Sequence, residues 1–386
     1  MNAYDETDLR RAAEAGIRAP SIGNSQPWLF RLDGGAIEVR TDPARRLAHL
    51  DRDGWAARLA CGAATFNARL ALAVAGRRAE VRLAPDPRDP GLIARLTPAT
   101  ERPSDAGAAG TGAASAGMAA ARAAGAGMAG AGMAGARAAS AEMAGARAAS
   151  AGMAGARAAG PGSAGARPAT YAEVELHAAI GRRYSNRGPF WPDPVPADVR
   201  ARLIAAAREE SAWLDLLVGM TAIGAFAEIA RSADKVLRRD TAYQAEQATW
   251  THVDAACAGA ARDGIPVTAG APRAEPQDLL PQRFFTDRQR VSGRDYEPEP
   301  LVGILGVAGD RPADQILAGA GLQRVLLTAT AAGLDTSMIS QPIEVPAARE
   351  QLRRSLGRYG WPQIVVRFGY GSPGHPAPRR DVTEVI

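Results

Sequence analysis

The chain reads RAPSIGNSQPW over residues 18–28, between a pattern typical of a short amphipathic helix and a pattern typical of a strand. Pro20 and Pro27 fix φ, so a helix cannot continue through this stretch. Ser21, Asn24 and Gln26 supply side chains that form turns and hydrogen bonds. We expect a loop that presents polar groups to something planar and polar. Most loops of this composition are only connections, so the rest of the chain has to decide between the two interpretations.

The length of the chain and one repetitive segment suggest two domains. At 386 residues the chain exceeds a single typical domain. Residues 104–168 are almost entirely Ala, Gly, Ser, Arg and Met, with near-identical decapeptides that begin at residues 131, 141 and 151. Frequent glycine opposes helix formation, so we predict a disordered linker between domains at 1–103 and 169–386. A methionine stripe that binds a partner is the alternative interpretation of the repeat.

Charge and cysteine content exclude several classes of protein. The net charge is +5, but arginine outnumbers acidic residues by three within 104–168, so the remainder carries only about +2. No predicted domain shows a stripe of basic and aromatic residues, which argues against a nucleic-acid partner. Cys61 and Cys257 lie far apart, residues 1–17 are acidic, and no apolar run reaches the length of a membrane span. We expect a cytoplasmic protein with no membrane partner.

Hydrophobic periodicity and turn residues predict both helices and strands in each domain. In the first domain, strands at 28–32 and 36–41 flank Asp33-Gly-Gly, which is a strong hairpin signal. A long apolar helix at 53–75 precedes a strand at 79–83. The second domain alternates helices and strands, predicted at 171–180, 197–208, 213–218, 222–250, 301–307, 314–332, 337–340, 347–356 and 363–370. Residues 252–300 are rich in Pro, Gly, Asp and Arg, which indicates an extended lid.

A second polar stretch, Arg183-Tyr-Ser185-Asn-Arg187, has the chemistry of a phosphate cradle. In an extended or turning backbone the two guanidinium groups and the hydroxyl can converge, and guanidinium forks bind phosphate through paired hydrogen bonds. Arg379 and Arg380 form another basic pair near the end of the chain. The alternative is that these arginines only solvate a surface.

Familiar catalytic and metal-binding patterns are missing from the sequence. The four histidines are scattered, which supports neither a zinc site nor a histidine-based triad. Gly369-Tyr-Gly371-Ser-Pro-Gly374 fits a dinucleotide fingerprint, but the prolines in and after it prevent the helix that such a site requires. We therefore predict no metal ligand and no catalytic side chain.

Taken together, the polar segments resemble the nitroreductase superfamily of FMN flavoproteins, and specifically its tandem-fused actinobacterial branch. The phosphate motif of that family, Arg-x-Ser-x-Arg/Lys, matches residues 183–187. Its flavin-contacting loop, Ala-Pro-Ser-x-x-Asn-x-Gln-Pro-Trp, matches residues 19–28 almost position for position. Its closing pattern looks like Gly333-Leu-Asp335 through Ser340-Gln341, then Phe368-Gly-Tyr370 and Ala377-Pro-Arg379-Arg380. The match thus covers both ends of the globular chain.

The resemblance implies an FMN cofactor and a set of residues that contact it. The phosphate would lie among the arginines and the hydroxyl of the cradle, the ring beside the first loop, and flavin N5 at the backbone of residues 340–341. The implied cofactor-binding residues are Arg183, Ser185, Arg187, Arg379, Arg380, Pro20, Ser21, Asn24, Gln26, Ser340 and Gln341. Asn67 lies on the long helix predicted in the first domain, and its side chain has two alternative roles, contact with the flavin or packing between helices.

The two family motifs are divided between the two parts of the chain, and this departs from the family pattern. The first part has the ring loop without a preceding phosphate motif, and the second has the phosphate motif without a ring loop. The resemblance therefore implies an α+β fold of two nitroreductase-like halves, each with a central sheet flanked by helices, fused into an intramolecular pseudo-dimer. We expect one complete FMN site, one degenerate site and a monomeric chain.

Two functions from different classes follow from the resemblance. The first is an oxidoreductase that passes hydride from NAD(P)H through FMN to a nitro compound, quinone or similar small-molecule acceptor. Because the cofactor supplies the chemistry, such an enzyme requires no acid–base pair of its own. The alternative is a non-catalytic protein that sequesters flavin beneath the segment at 252–300.

Overall fold

The computed structural model describes residues 3–99, 168–252, 261–266, 269, 278–281, 283 and 299–386. The predicted linker at 104–168 lies outside the described residues except for Pro168, and so does most of the predicted lid at 252–300. We call residues 3–99 the first half and the described residues from 168 onward the second half. The described residues on both sides of the linker form one compact unit.

The first half contains one antiparallel sheet and two helices. Its elements are α1 (Glu6–Gly16), β1 (Trp28–Asp33), β2 (Ala36–Thr41), α2 (Trp55–Val74), β3 (Ala79–Leu83) and β4 (Leu92–Pro98). The sheet order is β1-β2-β4-β3. Gly34 and Gly35 take φ of 55° and 76°, the left-handed conformation that joins β1 to β2 tightly and that glycine tolerates best. The predicted hairpin is confirmed, whereas β4 is not predicted from the sequence.

The second half repeats this arrangement with insertions. Its helices are α3 (Tyr171–Ile180), α4 (Ala197–Glu209), α5 (Met220–Arg239), α6 (Thr241–Thr249), α7 (Pro312–Ala331), α8 (Gln341–Glu344) and α9 (Pro346–Ser355). Its strands are β5 (Trp213–Leu217), β6 (Thr251–His252), β7 (Ile265–Pro266), β8 (Leu301–Val307), β9 (Asp335–Ile339) and β10 (Trp361–Gly369). The helix predicted at 222–250 is two helices, because Asp240 leaves the helical conformation and caps α6 through the backbone N–H of Tyr243.

The two main sheets share one topology, which confirms the predicted α+β fold of two related halves. The second sheet has the order β5-β8-β10-β9, which is again first, second, fourth and third strand along the chain. One helix, α1, precedes the first strand of the first half, and two helices, α3 and α4, precede that of the second half. In each half a 20-residue helix, α2 or α7, joins the second strand of the main sheet to the third. Among the described residues, no helix is both long and apolar enough to cross a bilayer.

Helices α2 and α7 cross at a pair of glycines that face each other, Gly62 and Gly319. A Cβ atom on Gly62 of α2 would collide with the carbonyl oxygen of Ile316, and one on Gly319 of α7 would collide with that of Leu59. The backbones are therefore in direct contact, which side chains of any size would prevent. This crossing joins the halves, since the apolar faces of α2 and α7 bury against each other and against both sheets.

The end of the chain returns from the second half to the core of the first. Val385 is fully buried in the same apolar cluster as Phe30, and its carbonyl oxygen accepts a hydrogen bond from the Phe30 N–H at 2.6 Å. Arg380 donates to Asp42 at 3.3 Å and to the backbone carbonyl of Glu384 at 2.7 Å. The last residues are thus part of the first half in space, although they follow the second half in sequence.

The glycine crossing predicts a large effect of one methyl group. We expect Gly319→Ala to lower the free energy of unfolding by about 3 kcal/mol or more, because the new Cβ meets backbone atoms that cannot move independently. Denaturation in urea measures this change. The matched control is Gly224→Ala in α5, where a Cβ has nothing within 4 Å, and here alanine should stabilise the helix by up to about 1 kcal/mol. Equal stabilities of the two variants would contradict the role of the crossing.

Candidate functional site

An open cavity lies between the two halves beside the glycine crossing. Its empty volume, which includes space open to solvent, is about 740 Å³. The first half contributes the loop at 20–23 and part of α2, and the second half contributes α7, the end of β9 and the start of α8. Five of the predicted site residues line this cavity: Pro20, Ser21, Arg187, Ser340 and Gln341. Its apolar wall is formed by Ala56, Leu59, Ala60, Leu322, Met338, Ile339 and Ile364.

The loop at 18–28 takes a tightly folded conformation with several left-handed residues. Gly23, Asn24 and Gln26 have φ of 62°, 54° and 52°. The Ser21 hydroxyl accepts a hydrogen bond from the backbone N–H of Gln26 at 3.0 Å, which closes the loop on itself. Trp28, its last residue and the first of β1, is fully buried, so the loop is anchored where β1 begins. This rigid turn brings Pro20 and Ser21 to the cavity wall.

Asn24 and Gln26 are buried and use their amides to hold other protein segments. Asn24 Nδ2 donates to the carbonyl oxygens of Gly264 and Pro378 at 2.9 Å each. Gln26 Nε2 donates to the Arg262 carbonyl at 2.8 Å, and its Oε1 accepts from the Arg380 N–H at 2.9 Å. In the structure these two side chains fix the loop to the second half, and neither is among the residues that line the cavity.

Two arginines from the predicted cradle are buried with donor groups left without partners. Nε and Nη1 of Arg183 have no hydrogen-bond partner, and Nη2 donates only to the Arg18 carbonyl, at 3.2 Å. Nε of Arg379 is likewise buried and unpartnered, while its Nη1 donates to Asn24 Oδ1 at 2.8 Å. An unsatisfied buried donor is costly, and more so when it is charged. These groups have the chemistry to receive an anion.

Arg187 lies at the cavity, and its charge adds to those of Arg183 and Arg379. It lines the cavity and donates to the Ala269 carbonyl at 3.0 Å. Burial, and then the charge of Arg187, lower the pKa of Arg183 to about 10. Burial, and then the charges of Arg183 and Arg18, lower the pKa of Arg379 to about 9. The three guanidinium groups thus repel one another, and a bound dianion would relieve both the repulsion and the unmet hydrogen bonds.

The other predicted cradle residues are placed differently. Arg380 is buried, but its guanidinium is bonded to Gln26, Asp42 and Glu384, so it fastens the end of the chain to the first half. Ser185 is half-buried between Arg183 and Arg187. Asn186, at a position that the sequence motif leaves unspecified, fixes residues 183–187 to β9. Its Nδ2 donates to Asp335 Oδ2 at 2.8 Å, and its backbone N–H donates to the Thr336 carbonyl at 2.9 Å.

Residues at the far wall of the cavity come from the end of β9. Ser340 and Gln341 are buried at the point where β9 turns into α8. The Ser340 carbonyl accepts hydrogen bonds from the backbone N–H groups of Ile343 and Glu344, at 2.8 and 3.1 Å. Asn67, by contrast, packs between helices, since Nδ2 donates to the Ala15 carbonyl and Oδ1 accepts from Gln323 Nε2. The structure therefore favours the helix-packing role for Asn67.

An ion pair in the cavity wall was not predicted from the sequence. Arg283 lines the cavity and pairs with Glu344 of α8, and Glu344 Oε2 also accepts a hydrogen bond from the Tyr243 hydroxyl at 2.6 Å. The three side chains come from segments some 40 to 60 residues apart, so no local sequence motif predicts that they interact. Burial lowers the pKa of Arg283, but the charge and the hydrogen bond of Glu344, together with Tyr243 and Asp234, raise it by more, so the net shift of the pKa is upward.

Comparison with known proteins found full-length relatives. No protein-family model matches the chain. "Putative NAD(P)H nitroreductase Rv3131" of Mycobacterium tuberculosis strain H37Rv is 26% identical over 100% of this chain and 93% of its own length. "Putative NAD(P)H nitroreductase acg" of the same strain is 25% identical over 98% of this chain and 95% of its own length. These similarities confirm the resemblance to nitroreductases that the sequence motifs indicated.

Solved nitroreductase structures match about half of the chain. A nitroreductase with bound FMN from Desulfitobacterium hafniense is 12% identical, with a TM-score of 0.36, over 55% of this chain and 97% of its own. The FMN- and NADPH-dependent nitroreductase NfnB from sphigopyxis sp. strain HMH is 15% identical, with a TM-score of 0.35, over 55% of this chain and 97% of its own.

The unpartnered donors of Arg183 predict how the ligand-free protein responds to an anion. Inorganic phosphate should raise the melting temperature of the protein, and the added stability should grow with concentration and reach about 2.7 kcal/mol at a hundredfold excess over Kd. Arg183→Met should fold at least as stably without ligand, because it removes a buried, repelled charge, and should lose most of the phosphate effect. Thermal denaturation at several phosphate concentrations measures both.

The control for this prediction is Arg10→Met on α1. Arg10 is exposed, with 56% of its side-chain surface accessible, and it pairs only with Glu14. This variant should keep the full response to phosphate. An equal response of Arg183→Met and Arg10→Met would contradict an anion site at Arg183.

Proposed function

We propose that the chain is an FMN-dependent oxidoreductase that oxidises NAD(P)H and reduces a nitro compound, a quinone or a similar small acceptor. The observation that carries this proposal is the group of buried guanidinium donors beside a cavity between the halves, where a phosphate-bearing cofactor with a flat ring system would satisfy them. Two relatives that match nearly the full length of the chain carry the name "Putative NAD(P)H nitroreductase", which supports the same activity.

The residues around the cavity fit FMN as a ligand. Arg183, Arg187 and Arg379 would hold the phosphate, with Ser185 as a further donor, because buried guanidinium groups that repel one another have the charge and the hydrogen-bonding capacity that a phosphate requires. Pro20 and Ser21 on one side, and Ser340 and Gln341 on the other, would flank the ring. Asn24, Gln26 and Arg380 would position these groups without touching the cofactor.

The protein's part in the reaction is to bind and to orient. Uptake of a hydride from a reduced nicotinamide and delivery of two electrons to an acceptor is the chemistry that FMN supplies when bound. The apolar wall formed by Leu59, Leu322 and Ile364 would keep water from the reacting faces, while Ser21 offers a hydroxyl at the cavity surface. The proposal assigns no side chain to acid–base catalysis.

We further propose that residues 1–103 and 169–386 are two nitroreductase-like halves and that a single chain holds one complete site. Both walls of the cavity come from the same chain, so no second copy is needed to close it. A monomer with one FMN per chain is the expected result. Light scattering coupled to size-exclusion chromatography, combined with the flavin absorption spectrum, measures both quantities.

The proposed activity is tested with purified, FMN-loaded protein. We expect oxidation of NADH or NADPH that depends on an added acceptor from a panel of nitroarenes and quinones. Protein that binds FMN but oxidises neither nicotinamide with any acceptor would refute the oxidoreductase function. Protein that binds no FMN would refute the cofactor assignment itself.

A flavin-sequestering protein is the second candidate, and one observation favours it. Ile265, Pro281 and Arg283 belong to the segment predicted as a lid, and all three line the cavity. A cofactor there would be covered in part by this segment. Rapid reduction by NADPH, or rapid reoxidation by menadione, would exclude sequestration, because both reagents must reach the ring.

Loss of one cradle arginine should release the cofactor. Arg183→Ala and Arg187→Ala each remove charged hydrogen bonds worth about 1.5 to 3 kcal/mol, so Kd for FMN should rise roughly 10- to 150-fold. Quenching of flavin fluorescence on titration measures Kd. Arg354→Ala, at an exposed arginine of α9 that pairs with Glu350, is the control and should leave Kd unchanged. Unaltered affinity in both cradle variants would rule out the clamp.

A further inference from the structure

A second cavity adjoins the first and is lined differently. It has an empty volume of about 420 Å³ and lies beside α5, α6 and α8. Arg283 and Gln341 line both cavities, so they form the shared wall. The remaining lining of the second cavity is mostly polar, namely Asp234, Leu237, Arg238, Tyr243, Gln244 and Gln247. A ligand in the first cavity would therefore lie against Arg283 and Gln341.

Arg283 is held firmly at the boundary between the cavities. Its side chain is 13% exposed and that of Glu344 is 3% exposed, so the pair is well removed from water. The guanidinium also lies over the ring of Tyr243, with 5.6 Å from its carbon to the ring centroid. Because Tyr243 also donates to Glu344, the carboxylate is fixed from two sides and in turn fixes the orientation of Arg283. Such a network preorganises the guanidinium before any ligand arrives.

The ion pair does not use the full hydrogen-bonding capacity of Arg283. A guanidinium carries five N–H donors in a fixed fork, and the bond to Glu344 is made by Nη2. Nε of Arg283 is buried and has no partner. A buried charged donor without a partner is costly, so its retention beside two cavities is explained best by a ligand that completes it.

The local charge also favours an anionic ligand at this wall. The carboxylate that lines the second cavity, Asp234, is paired with Arg238 at 2.6 Å. On the other side, the positive charge of Arg283 adds to burial in lowering the pKa of Arg187, so the two guanidinium groups act on each other across the first cavity. An FMN phosphate carries a charge of at most about −2, whereas Arg183, Arg187 and Arg379 alone carry +3. The described part of the site thus keeps an excess of positive charge.

We propose that Arg283 binds the anionic group, a carboxylate or a group of like charge, of a small-molecule electron acceptor whose reducible part occupies the first cavity. Arg283 is then a substrate-binding residue that selects anionic acceptors over neutral ones of the same shape. The inference rests on the proposed function for the identity of the ligand as an acceptor, but the preference for an anion can be measured without turnover.

The test uses two pairs of probes that differ only in charge. Calorimetry compares benzoate with benzamide on the FMN-loaded protein, and steady-state kinetics compares 4-nitrobenzoate with 4-nitrobenzamide. The protein should bind benzoate about tenfold or more tightly than benzamide, as expected for a charge-assisted hydrogen bond. The ratio of kcat/KM for the two nitroarenes should favour the anion by a similar factor. Equal binding of benzoate and benzamide would overturn the proposal.

The decisive comparison is between two variants that differ only at Arg283. Arg283→Gln alone would leave Glu344 buried beside Tyr243 without its cation, and this variant could fail to fold. Glu344→Gln is therefore the reference, because its amide oxygen can still accept the bonds that hold Arg283 and Tyr243. Glu344→Gln should keep the preference for benzoate, and Glu344→Gln with Arg283→Gln should lose it. Retention of the preference in the double variant would overturn the assignment to Arg283.

Two controls establish which residue and which ligand cause the preference. The matched surface double variant, Glu350→Gln with Arg354→Gln on α9, should keep the preference for the anion. The alternative is that Arg283 binds an anionic group of the nicotinamide cofactor. In that case the double variant at Glu344 and Arg283 will change the ratio of kcat/KM for NADPH over NADH and leave the ratio for the two nitroarenes unchanged. That result would overturn the acceptor assignment. Failure of all turnover, with the preference for benzoate intact in calorimetry, would refute the proposed activity and support an anion site at Arg283.

Discussion

The structure depends on the close approach of α2 and α7 at Gly62 and Gly319. Each helix is the central element of one half, and each glycine meets the backbone of the opposite helix directly. Backbones this close leave no room for adjustment, so the angle and the register of the crossing are set by steric contact. That contact determines where the loop at 18–28 stands relative to the end of β9, and therefore the shape of the cavity between them.

Exchange of segments between the halves reinforces the crossing and builds the site at the same time. The carboxylate of Glu246 in α6 accepts hydrogen bonds from the backbone N–H groups of Ala48, His49 and Leu50 in the first half, at 2.7 to 2.8 Å. The end of the chain enters the first-half core at Val385, and Arg379 is held by Asn24. Contacts that orient the cradle thus also join the halves, so the site and the association of the halves share stabilising interactions.

The cavity combines features that are unfavourable unless a ligand is present. Buried guanidinium groups repel one another, and three of the four arginines concerned, Arg183, Arg283 and Arg379, have an Nε atom without a partner. A fold retains such groups when binding recovers the lost free energy. The arginines differ in the partners they have: Arg183 and Arg379 keep buried donors without a partner, Arg283 lies between two cavities, and Arg380 is bonded to protein groups that hold the end of the chain to the first half.

The sequence by itself determined the local elements and the chemistry of the two motifs. Asp33-Gly-Gly requires a tight turn, the periodicity of α2 requires a buried helix, and Arg183 with Arg187 carries the charge of an anion site, because these properties depend on residue type and near neighbours. Only the tertiary structure decided which polar residues face the cavity. The sequence predicts Gln26 and Asn24 as ligand contacts, but in the structure their amide nitrogens donate hydrogen bonds to the backbone carbonyls of Arg262, Gly264 and Pro378. Arg283, Glu344 and Tyr243 have no local signal, since packing of distant segments alone brings them together.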